Sequence, residues 1–187
     1  FGGAEFNVSN EICFHEDTDI NTDQGVVKIK NLKSYHTIEN SKLVYLIKSS
    51  SKPNKLVLIK KNTFAYNIPD TDIKLTLNHT IFAGDKEIPV YYLIDNKNVL
   101  LINNDNSDVY NLVILEKNRI TVNNLHLGII YASKEIFELI EKLSSDEQIN
   151  KISAGIDNNF EQFNNTHIVI DKKKYNDFKA ERKYPII

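Results

Sequence analysis

Between Cys13 and Tyr131 the apolar residues never run long enough, or at the right spacing, for a helix. They come instead as short β-branched or alternating stretches, each closed within a few residues by Asn, Asp, Gly, Pro or Ser. Thr18, Ile20 and Thr22 alternate with polar neighbours, Asp23-Gln24-Gly25 supplies a turn, and Val26, Val27 and Ile29 lead back toward Leu32. Leu43–Ile47 and Lys55–Lys60, separated by Ser49-Ser50-Ser51-Lys52-Pro53-Asn54, read as a second hairpin. Ile73–Phe82 reads as a further strand pair around Thr76 and His79, and Ile88–Ile94 as a strand that Pro89 confines to an edge or a bulge. Val99–Ile102, Val109–Glu116, Arg119–Val122 and Leu125–Tyr131 complete the set, the last two joined at Asn123-Asn124. So many short strands at this spacing predict a compact, mainly β domain, disc-like or barrel-like.

The pattern changes near residue 132. Ile136, Phe137, Ile140 and Leu143 share a helical face behind Ser133 as N-cap, a stripe suited to docking on the β domain. Asn150–Asn165 reads as loop, Thr166–Ile170 as one more strand, and Asp171–Lys183 as a basic helix ended by Pro185. The expected organisation is therefore an upstream linker at 1–12, a β domain at 13–131, and a small α-rich extension at 132–187 with room for protein partners.

A chain of 187 residues with 41% hydrophobic and 26% charged residues has enough apolar surface for one substantial core. Its net charge of −2 gives no electrostatic case for nucleic acid or an anionic membrane. No apolar run reaches the length of a membrane span. A single cysteine, Cys13, rules out an internal disulfide framework and fits a reducing, intracellular compartment. Without an initiator Met, the sequence reads as a piece of a longer or processed product. The bias to Asn, Lys and Ile points to an AT-rich coding genome.

Cys13 opens the first strand pattern directly after a polar lead-in, where a thiol can reach the peptide bond on its own N-terminal side. Thr76 and His79, three apart across Leu77-Asn78, can face one peptide group if the chain turns at Asn78. Val109-Tyr110-Asn111-Leu112 and Val122-Asn123-Asn124-Leu125 follow in order. Together these blocks resemble the hedgehog/intein (Hint) family of self-processing domains over about residues 13–131. The wording of Asn78–Phe82 and Val122–Leu125 is most similar to Hint domains of large DNA viruses, which would allow a place in a viral particle.

The resemblance implies a Hint-type β fold and a definite chemistry. Cys13 would attack the carbonyl of Ile12 and convert the Ile12–Cys13 peptide into a thioester. An ordinary thiol is only a few per cent thiolate near neutrality, so a base or proton relay is needed. His79 would protonate the departing amide nitrogen, and Thr76 would hydrogen-bond and polarise the scissile peptide. No metal or cofactor is required. Splicing members end in His-Asn before a Cys, Ser or Thr, whereas the corresponding stretch here is Leu125-His126-Leu127-Gly128. The expectation is cleavage without ligation, the thioester passing to water or a small nucleophile and the upstream segment being the substrate. The β-branched Ile12 crowds its own carbonyl and should slow release.

Each block also has a plainer reading. One cysteine in a β domain is commonly an inert buried hydrophobe, and His79 a hydrogen-bonded structural histidine. The whole chain would then be a catalytically silent Hint-fold structural or interaction protein. His15 falls on the same strand face as Cys13 without suggesting a metal site. His126 and His167 read as surface or edge residues, Asp17, Asp19 and Asp23 as turn and solvent-face residues, and Lys172–Lys174 as a solvated face.

Overall fold

The computed structural model describes residues 12–33, 35–49, 52–132, 160–163 and 167–171. The strands, in chain order, are β1 (Phe14–His15), β2 (Asp19–Thr22), β3 (Gly25–Lys28), β4 (Thr37–Ile38), β5 (Ser41–Lys48), β6 (Lys55–Ile59), β7 (Ile73–Leu75) and β8 (Thr80–Ala83). They continue as β9 (Lys86–Pro89), β10 (Val99–Asn103), β11 (Val109–Leu115), β12 (Arg119–Val122), β13 (Leu125–Gly128), β14 (Ile130–Ala132), β15 (Phe160–Phe163) and β16 (His167–Asp171). The domain is mainly β, as the sequence predicts.

The large sheet runs β10-β6-β7-β1-β11-β5-β16-β15, with β14 added to β11 and β4 to β5. A second sheet runs β12-β13-β8-β9, and β2-β3 form a separate hairpin. The turns are those the residues demand. Gly25 closes β2-β3 at φ 97°, and Asn123 and Asn124 sit at φ 50° and 63°, the left-handed pair that a tight hairpin requires and Asn tolerates.

Two expected pairings are corrected. β5 and β6 are not a hairpin: β5 pairs with β11, and β6 with β10 and β7. Nor do β7 and β8 pair, because the chain leaves one sheet for the other between them. Equally apolar strands offer equally good local partners, and it is the long-range fit of β11 against β5 and β1 that decides. The segment expected as a strand at 88–94 is the end of β9 followed by a 3-10 turn at Val90–Leu93. Pro89 does lie on an edge strand, since β9 is the last of its sheet. Residues 160–163, expected as loop, form β15, while β16 answers the expected strand at 166–170 and pairs in parallel with β5. The helices expected at 133–143 and 171–183 lie outside the described residues.

The two-residue β1 lies at the centre of the large sheet, between β7 and β11. Phe14 is opposite Leu75 and Tyr110, and its face packs with Val57 and Leu112 into the main core. The other face carries Cys13 with Leu56 and Val109, a small separate cluster that Ile102 covers. Where the sheets' strands crowd, β13 depends on a residue without a side chain. A Cβ on Gly128 would collide with Oγ1 of Thr80, which donates to Glu87 Oε1 at 2.7 Å. Gly128→Ala should therefore cost about 1–3 kcal/mol, read as a lower urea midpoint with an unchanged slope; an unchanged midpoint would refute this packing.

Candidate functional site

The chain turns sharply after β1. Thr18 N–H donates to His15 O at 3.0 Å, and Glu16 N–H to Asp108 O at 3.1 Å, while Glu16 Oε1 accepts from Asp108 N–H at 2.9 Å. Lys30 lies 2.8 Å from Asp17 and holds that carboxyl below the ordinary aspartate range. The lowered pKa of this half-exposed group adds stability above its unfolded pKa, and that contribution is lost as pH falls through the folded value. These contacts fix the turn by which the chain leaves β1.

A second turn brings two side chains to that peptide. His79 N–H donates to Thr76 O at 3.1 Å, so the hydroxyl and the imidazole, three residues apart, face the same way. The 3-10 turn at Val90–Leu93 braces it from behind: Val90 N–H donates to His79 O at 2.8 Å, and Tyr91 N–H to Leu77 O at 3.1 Å. The edge of His79 also packs against Phe14, ring centres 4.4 Å apart. Cys13, Thr76 and His79 are all fully buried.

The three predicted residues converge on the segment Ile12–Cys13. The Cys13 N–H, the nitrogen of the Ile12–Cys13 bond, donates to Thr76 Oγ1 at 2.9 Å. The Cys13 carbonyl accepts from Thr76 N–H at 3.1 Å and from Thr76 Oγ1 at 3.3 Å. His79 Nδ1 stands 3.0 Å from that same carbonyl oxygen. A carbonyl only accepts, so the ring proton of this contact is on Nδ1. The imidazole thus hydrogen-bonds the far end of Cys13, while the nitrogen of the Ile12–Cys13 bond is met by the Thr76 hydroxyl.

One group at the site escaped the sequence reading. The Asn111 side-chain amide donates to the carbonyl oxygen of Ile12, the other end of the same peptide bond. Its block, Val109–Leu112, is one that the sequence singles out, but an amide inside an alternating strand carries no local signal of its contact. The register supplies it: Phe14 is opposite Tyr110 and His15 opposite Val109, so Cys13 falls opposite Asn111 on the same face.

His15 shares that face but is not equipped to take the thiol's proton. Its Nδ1 accepts Asp17 N–H at 3.1 Å, which leaves the neutral ring's proton on Nε2, 3.7 Å from Asp105. His126 is exposed, as expected, and the side chain of His167 lies outside the described residues. No group of three or more His, Cys, Asp or Glu among the described residues is placed to hold a metal ion. No helix among them is long and apolar enough to cross a membrane.

No family model matches the chain, and no curated protein does. Among solved structures it is similar to a bacterial intein-like domain from Clostridium thermocellum, at 18% identity over 64% of this chain and 99% of that one, TM-score 0.49. It is similar also to a DnaB intein from Synechocystis, at 16% identity over 63% of this chain and 97% of that one, TM-score 0.44. A third is the gp41-1 intein, at 10% identity over 62% and 97% of the two chains, TM-score 0.45.

Proposed function

We propose that this is a self-processing domain of Hint type that cleaves its own Ile12–Cys13 bond. One observation carries the reading: the nitrogen of that peptide is hydrogen-bonded to Thr76 and its oxygen to Asn111, and the residue it opens onto bears the thiol. The Cys13 sulfur adds to the Ile12 carbonyl carbon, and the C–N bond then breaks. The acyl group passes from nitrogen to sulfur, and the thiol's proton ends on the freed amine. Thr76 holds the nitrogen in place, and His79 delivers the proton along the Thr76 side. Water or a small nucleophile attacks the resulting thioester, which releases residues 1–12 and restores the thiol.

Cleavage without ligation is supported by two features. Leu125-His126-Leu127-Gly128 offers no cyclising Asn. Beyond it, β14 runs parallel to β11 with Ala132 opposite Leu115, four residues past Asn111 and roughly 13 Å away at the usual strand rise. The lone cysteine suits a reducing intracellular setting, and the viral-type wording of 78–82 and 122–125 supports a viral product or particle.

A silent Hint fold is the second reading. It is favoured by the thiol's packing among Leu56, Val109 and Ile102 and by the contact of His79 with the Cys13 carbonyl rather than its nitrogen.

Intact-mass measurement of the full chain with and without hydroxylamine separates the two. Self-processing yields a 13–187 fragment beginning at Cys13 and a 1–12 peptide ending in an Ile12 hydroxamate. A chain that keeps its full mass for days in hydroxylamine would leave only the silent fold.

A further inference from the structure

We propose that Lys74 is an internal acceptor for the acyl group of that thioester. Without an outside nucleophile, residues 1–12 pass from the Cys13 sulfur to the Lys74 side chain and stay on the protein through an isopeptide bond. The inference rests on the self-processing reading and adds to it a second fate for the upstream segment.

Register places the lysine. Ile73 and Leu75 turn into the main core with Phe14, so Lys74 between them emerges on the opposite face of the sheet, the one that carries Cys13. Phe14 is opposite Leu75, which sets Lys74 opposite His15 and one diagonal step from Cys13. Such a diagonal spans about 7–8 Å, within reach of a long side chain. Lys74 and His15 share the wall of a cavity of about 300 Å³ with Leu58 and the carboxylates of Asp17, Asp19 and Asp72. Those carboxylates are already engaged. Lys30 lies 2.8 Å from Asp17 and Lys28 3.7 Å from Asp19, while Asp72 Oδ1 accepts Lys61 N–H at 2.8 Å. Lys74 is partly buried and has no hydrogen bond or ion pair among the described residues. Its charge acts on Asp105 only from beyond ion-pair distance.

The step balances within the chain. The Lys74 ammonium first loses a proton to water, and the amine adds to the Ile12 carbonyl carbon of the thioester. The C–S bond breaks, its electron pair leaves on sulfur, and the thiol regains the proton that nitrogen sheds. Cys13 is left with a free amine and a free thiol, and the mass of the chain is unchanged. Transfer is slow. A lysine in water is about one part in 10³ free amine near neutrality, and a short flexible tether supplies an effective concentration of about millimolar. Molar hydroxylamine therefore takes the same thioester first, and release of 1–12 still needs an outside nucleophile.

The test keeps the full chain at pH 8.5 for days without added nucleophile, then sequences it from the N-terminus and maps it with trypsin. The expected result is an unchanged intact mass with a second N-terminal sequence that opens at Cys13. The map should show a separate Cys13–Lys28 peptide, and residues 1–12 carried on Lys74 within an uncut Asn62–Lys86 peptide. Lys74→Arg keeps the charge but takes no acyl group, so the branched peptide should be lost. A lysine that merely lines the cavity gives no branch in the wild type. Cleavage of the wild type by hydroxylamine with no branch at Lys74, or a branch that persists in Lys74→Arg, overturns this proposal while the self-processing reading stands. A wild-type chain inert to hydroxylamine overturns both. Should Lys74→Arg not fold, the position of the branch in the wild-type map decides alone.

Discussion

Cys13→Ala is expected to remain a single species at full mass in hydroxylamine, under conditions in which the wild-type chain separates after Ile12. The loss should be complete, because Cys13 is the sole cysteine among 187 residues and no other thiol can take its place. The fold should survive. The side chain lies in the small cluster with Leu56 and Val109 rather than in the main core, so removing its sulfur leaves the Phe14 side of the sheet untouched. Cys13→Ser is the informative companion. A hydroxyl can carry out the same acyl shift to an ester, but it is a far weaker nucleophile near neutrality, so it should cleave slowly and only with strong external nucleophiles. Release of 1–12 from the alanine variant would place the reactive group elsewhere and end the proposal.

His79→Ala should slow cleavage by about 10²–10⁴-fold, the range for a positioned proton donor. The side chain is buried against Phe14, so alanine also leaves a gap, and a lower unfolding midpoint is expected alongside the slower rate. His79→Gln separates the two effects. Its amide can still donate to the Cys13 carbonyl and fill much of the space, yet it cannot transfer a proton at neutral pH. Near-native stability with the rate still depressed identifies proton transfer as the lost function. Recovery of the rate in His79→Gln would mean that the imidazole serves only to hold the Cys13 carbonyl.

Much of the β architecture was legible because its turns are written locally. Asp23-Gln24-Gly25 and Asn123-Asn124 name the residues that accept left-handed backbone, and alternation marks the strands on either side. The partner of a strand is written nowhere nearby. Leu43–Ile47 and Leu56–Ile59 look like neighbours in a hairpin, and only the competition among all strands sends one to β11 and the other to β7 and β10. Val90–Leu93 misled for a related reason. Its apolar content suits a strand, but its task is to hydrogen-bond the turn that carries Thr76 and His79. At the site, Cys13, Thr76 and His79 were visible because each belongs to a residue type and spacing with few other uses. Asn111 was not, since its contact comes from register: only when β1 lies beside β11 does an ordinary amide meet the Ile12 oxygen.

The central position of β1 has a consequence for the direction of the proposed chemistry. Once nitrogen and carbonyl part, the new amino terminus is held in place, because Phe14 stays paired with β7 and β11 on its two flanks and His15 with β11. The amine therefore remains beside the thioester at a very high local concentration, and return to the starting amide competes with every forward step. With the proposed chemistry the domain would act as a spring-loaded latch that resets itself. Its throughput would then be set by how fast an outside nucleophile reaches the acyl group before the amine takes it back.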